Sequence, residues 1–173
     1  MRITCSRCRT VEYTVTVADA GRGVGDLEPV ALSAATGFAD CLLVKLGVER
    51  GDAALADVAA KIVHRMAVRT DAVVTVIDGF ARRATARGSD RYYCRGRGAD
   101  TTGVLQELAE RLEERGHAVH LVPAGWSKSW EAEPLEYPGA QCVVDLTAGN
   151  DPVIWSSDNI CGWNSLCGPL FRP

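Results

Sequence analysis

The sequence predicts a single α+β domain over residues 1–173, a mainly antiparallel sheet with about three helices. Three observations point there. Val11, Tyr13, Val15 and Val17 alternate strictly with Glu12, Thr14 and Thr16, the period of a strand buried on one face. Val104, Leu105, Leu108 and Leu112 recur at helical spacing before Gly116, with Asp100, Thr101 or Thr102 able to cap the start. A chain of 173 residues that is 47% apolar and 24% charged suits one core, burying roughly 70% of its unfolded surface.

In chain order, residues 2 to 5 are expected to pair with the alternating strand across a turn at Cys5 to Cys8. A loose glycine loop, Gly21 to Gly25, follows it. Ala35, Phe38, Ala39, Leu42, Leu43 and Leu46 are then spaced by three and four up to Gly47, which reads as a helix starting at Pro29 or near Thr36. Asp52 caps a second helix, whose buried stripe is Leu55, Val58, Ala59, Ile62 and Met66. Ala72 to Ile77 reads as a buried strand, turned by Asp78-Gly79 into residues 80 to 87, with Arg91 to Arg95 extending the meander. The third helix covers Val104 to Leu112, and residues 117 to 122 and 141 to 146 are strands. The proline- and glycine-rich stretch between those strands is long enough for a lid or binding loop. No internal repeat and no domain boundary stand out.

Net charge is −3, which excludes a globally basic polyanion binder. No stretch approaches the ~20 apolar residues of a membrane span and no signal pattern opens the chain, so the expected setting is cytoplasmic with reduced thiols. The charge is nevertheless segregated. Six of sixteen arginines, Arg82, Arg83, Arg87, Arg91, Arg95 and Arg97, fall between residues 82 and 97. On the hairpin register just given, Arg83, Arg87, Arg91 and Arg95 share a sheet face with Tyr93, a pattern that suits phosphate pairing and base stacking. A solvated arginine face pairing with nearby glutamates is the plainer alternative.

Seven cysteines, an odd number, argue against a complete disulfide framework. Cys5 and Cys8 have the spacing of half a metal knuckle, and Cys161 and Cys167 can supply the other half of a structural zinc site. Two unrelated pairs of free thiols are the alternative. Cys41 follows Asp40 at the head of an apolar run, where a helix-borne nucleophile would sit, although a free cysteine there also reads as a small buried hydrophobe. A thiol enzyme needs a base and an orienting group as well. His117 opens one predicted strand and Asp145 lies late in another, so Cys41, His117 and Asp145 can take those parts in order. Strand alternation puts His120 on the face opposite His117, which makes it the rival base.

At Gly37-Phe-Ala-Asp40-Cys41, Gly116-His117-Ala-Val-His-Leu-Val and Val143-Val-Asp145-Leu-Thr147 the chain resembles the papain-like thiol hydrolases, including the NlpC/P60 and transglutaminase-like branches. The resemblance covers about thirty residues, and Leu42 and Leu43 replace the small residues usual after the nucleophile. It implies a small thiol enzyme of acyl transfer or amide hydrolysis, acting on a small molecule or peptide, with Cys41 as nucleophile, His117 as general base and Asp145 as orienting group. The loop from 123 to 140 would cover its cleft, and Trp126 and Trp130 lie within it. The alternative is a zinc-stapled binding module whose arginine-rich sheet face meets nucleic acid or another polyanion. A partner-binding protein without chemistry of its own is the third reading.

Overall fold

A computed structural model describes residues 1–17, 33–82 and 98–155. One mixed sheet carries the fold, in the order β4-β3-β2-β1-β6-β7, with β5 also paired to β1. The strands are β1 (Arg2–Val17), β2 (Ala35–Val48), β3 (Val74–Ala81), β4 (Ala118–Leu121), β5 (Ser127–Pro134), β6 (Gln141–Asp145) and β7 (Val153–Trp155). The helices among the described residues are α1 (Ala56–Thr70), entered through a 3-10 turn at Asp52–Leu55, and α2 (Gly98–Glu113). Strand β1 is antiparallel to β2, β5 and β6, whereas β2, β3 and β4 run parallel. Each parallel step needs a crossover, and α1 and α2 supply them. Neither helix is long and apolar enough to cross a membrane.

Both helices cover one face of the sheet. Their stripes, Ala59, Ile62, Val63 and Met66 on α1 and Val104, Leu105, Leu108 and Leu112 on α2, pack on Ile3, Leu42, Val44, Leu46 and Ile77. The segment from Ala35 is therefore strand β2, not the expected helix. From Cys41 to Val44 every side chain is buried, because the helices lie on one face and a second cluster lies on the other. A strand buried on both faces loses its alternation, and such a run mimics helical spacing. Two helices are thus described where about three were expected.

Two predicted turns are also strand. β1 passes straight through Cys5 and Cys8, and β3 continues through Asp78 and Gly79. Gly79 serves packing instead. A Cβ there would collide with the Leu105 side chain, so the missing methyl lets α2 lie close against β3. The expected strand at Arg91 to Arg95 lies outside the described residues.

The other face is closed by the sheet itself. Tyr13 is opposite both Thr36 on β2 and Trp130 on β5, while Lys45 lies nine residues further along β2, about 30 Å if the strand were straight. Yet the Lys45 ammonium stands 5.3 Å from the centre of the Trp130 ring. The long hairpin of β1 and β2, with β5 on its edge, must fold back over the face of β2, β3 and β4. The bend falls where the β1–β5 register slips between Cys8 and Thr10 and where Asp40 takes a φ of 49°, the signs of a bulge.

Arg7 clamps this corner. Its guanidinium is almost wholly buried, with Nε donating to Thr70 O at 3.0 Å and Nη1 to Cys8 O at 2.8 Å and Cys41 O at 3.3 Å. Nη2 meets Asp40 Oδ1 at 3.3 Å and Asp71 O at 3.4 Å. A cation there also answers the carbonyl end of α1, so a single side chain ties the bend to the helix layer.

Candidate functional site on the folded-back face

The folded-back hairpin brings together side chains that lie far apart along their strands. Tyr13, inward on β1 by the alternation of that strand, reaches His120 on β4, with Oη 2.8 Å from Nε2. The Phe38 ring from β2 lies tilted against the same imidazole, centres 4.6 Å apart, and Trp130 from β5 lies 5.4 Å from the Tyr13 ring. Below them Cys8, Val11, Val15, Cys41, Leu43, Val76 and Val122 form an apolar floor. Desolvation pushes the His120 pKa down and the Tyr13 pKa up, the latter opposed by a hydrogen bond with Thr36. Both groups are then neutral near pH 7, and in the Nδ1–H tautomer of His120 the phenol donates to Nε2.

Charge surrounds this pair. On β3 Asp78 stands opposite Lys45 in the register, but accepts its 2.7 Å ion pair from Lys128 of β5. That pair is nearly buried, and Lys128 also donates to Pro123 O at 2.8 Å, which fastens β5 down over the face. Lys45 has no carboxylate partner among the described residues and rests its ammonium over Trp130. A neutral imidazole hydrogen-bonded to a phenol on an apolar floor can move a proton.

The three residues of the expected thiol triad do not meet. Cys41 is fully buried on the folded-back face of β2, and burial, reinforced by the neighbouring Cys8, raises its pKa to about 11. An activated thiol needs the opposite shift. His117, just before β4, bonds instead to His64 on α1, Nε2 to Nδ1 at 2.6 Å, on the helix side of the sheet. Asp145, at the end of β6, accepts from Arg2 Nε and Nη2, each at 2.7 Å, which holds its carboxyl below the usual range. In the β1 register Asp145 is level with Gly47, six residues and about 20 Å along β2 from Cys41.

The expected zinc ligands fit no better. Cys5 points into the helix-side core and hydrogen-bonds to Cys142, its partner across β6, whereas Cys8 points to the opposite face beside Cys41. One strand cannot aim both thiols at one ion, and the spacing that suggested a knuckle grips an ion only where the chain turns. Cys161 and Cys167 lie outside the described residues, as do Arg83, Arg87, Arg91 and Arg95 of the expected polyanion face. Among the described residues no group of three or more histidine, cysteine or acidic side chains could hold a metal ion.

Alternation in the sequence separated His120 from His117, and the long stretch from 123 to 140, expected as a lid or binding loop, contains strand β5. Tyr13, Asp78 and Lys45 were not legible as site residues. Alternation marks Tyr13 only as buried, and nothing local announces the bend that brings it to His120. No protein-family model matches the chain, and no curated protein matches its sequence.

Proposed function

We propose that the folded-back face is the active site of a small enzyme for acid–base catalysed acyl transfer or hydrolysis, with the Tyr13–His120 pair in place of a thiol. The observation that supports it is the 2.8 Å Tyr13 Oη–His120 Nε2 hydrogen bond, made across the bend by two neutral groups on a partly desolvated surface. Tyr13 Oη accepts a proton from water or a substrate hydroxyl while passing its own proton to Nε2. The oxygen so activated attacks the acyl carbon, and the resulting imidazolium returns the proton to the leaving group.

A panel of small activated esters and amides, assayed with the full chain and three variants, tests this. Tyr13→Phe and His120→Gln are expected to lower kcat/KM by about 100-fold or more, whereas Cys41→Ser leaves it within a few fold. Loss of turnover in Cys41→Ser alone would restore the thiol reading. Full activity in His120→Gln would remove the one proposed here.

A further inference from the structure

Lys45 is conspicuous among the cations whose surroundings are described. Lys61 pairs with Asp57 at 2.6 Å and Lys128 with Asp78 at 2.7 Å, but Lys45 stands opposite Asp78 in the β2–β3 register and still does not pair with it. The carboxylate is already taken, so among the described residues the inner face holds two ammonium groups, Lys45 and Lys128, against the one acid Asp78. The Lys45 stem leaves a strand that is buried on both sides of it, which limits where the ammonium can go. Its ammonium lies 5.3 Å from the centre of the Trp130 ring and within electrostatic reach of the Cys8 thiol, and Trp130 is only half-buried. A cation held over a half-buried aromatic ring, with no carboxylate partner among the described residues, is arranged to take an oxyanion whose carbon skeleton lies on the ring.

We infer that Lys45 and Trp130 form an anion subsite, and that the molecule bound on this face carries a carboxylate or phosphate group next to a flat apolar portion. The inference rests on the folded-back face being a binding site, but not on the chemistry assigned to His120. The subsite sets specificity: the anion pairs with Nζ, the flat portion covers Trp130, and the reacting bond is left toward Tyr13 and His120. A neutral analogue would leave the Lys45 charge without a partner while covering it from water, so the discrimination is against uncharged molecules.

The chain has three lysines, so selective isotope labelling of lysine gives three side-chain NMR signals, with surface Lys61 as the internal control. Titration of the full chain with benzoate, phenyl phosphate and neutral benzamide is the test. The expected result is saturable movement of the Lys45 signal with benzoate or phenyl phosphate, the stronger of the two naming the anion, and none with benzamide. Lys45→Met should weaken that binding by about tenfold or more, read on the Trp130 ring signals, and Lys45→Arg should retain most of it. His120→Gln should bind as the native chain does, which separates failure of the subsite from failure of the acid–base proposal. Equal binding of benzamide, equal binding by Lys45→Met, or an anion response no larger at Lys45 than at Lys61 would overturn the inference.

Discussion

The two faces of the sheet are built to different ends. The helix-side face is almost entirely aliphatic: Ile3, Leu42, Leu46, Met66, Ile77, Leu108 and Leu112 are all fully buried, with the Met1 ammonium and Asp52 paired at 3.0 Å beside them. The folded-back face has a smaller apolar floor and spends its remaining surface on Tyr13, His120, Lys45, Asp78 and Lys128. The first face binds the strands to the helices through non-directional burial. The second holds polar groups in fixed positions by directional contacts, at a cost in desolvation that the first face must offset. A fold that separates support from chemistry in this way should lose stability and function through different residues.

The largest effect is expected on the helix side. Leu108→Ala removes a fully buried side chain between α2 and the sheet and should cost about 3 kcal/mol in urea unfolding, with the Tyr13–His120 bond intact in the molecules that remain folded. Comparable loss of the bond at that position would erase the distinction between the faces. Arg7→Met comes next, at about 2 kcal/mol, because it leaves buried carbonyls at Cys8, Cys41 and Thr70 without their donor. Unlike Leu108→Ala, it should also loosen the bend, and so disturb the His120 signals in the folded state.

The smallest effect is that of pH. Desolvation holds the pKa of His64, His117 and His120 below the ordinary histidine value, with Arg115 adding to the shift at His64 and His117. A base whose folded pKa is depressed binds fewer protons folded than unfolded. Its contribution is therefore complete above about pH 6.5 and declines as the solution is acidified through that value. The Tm should fall modestly between pH 7 and pH 5, and His117→Gln should flatten that limb by removing the contact with His64 on the helix side, leaving His120 to titrate as before. A Tm that rises on acidification would mean that these histidines gain charge partners in the fold.

The same contrast explains what could be read in the sequence. The helix layer was legible, because α1 and α2 each bury one stripe and leave one face to water, and the period of a half-buried element survives in its residues. β4 and β6 were legible for their short apolar runs. β2 was not, since contact on both faces from Cys41 onward erased its period and left a run of leucine and valine that fits a helix as well. Strand β5 escaped because its outward Glu131 and Glu133, and the Pro134 that ends it, look like loop, and only its pairing with β1 makes the inward Lys128 and Trp130 a face. At the candidate site, the partition of His117 and His120 to opposite faces followed from alternation. Which of them meets a useful partner did not, for it depends on the bend at Asp40 and on Arg7, a tertiary feature with no local period.

The claim that carries the account is that the hairpin folds back far enough for Tyr13 to hydrogen-bond a neutral His120. Nitrogen-15 NMR of the imidazoles, followed from pH 5 to 8 in the native chain and in Tyr13→Phe, measures this directly. The account predicts that at pH 7 His120 is the neutral Nδ1–H tautomer with Nε2 accepting a hydrogen bond, that it titrates below the ordinary histidine range, and that Tyr13→Phe shifts the Nε2 signal while leaving His64 and His117 unchanged. A His120 that titrates near 6.5 with no response to Tyr13→Phe would contradict it.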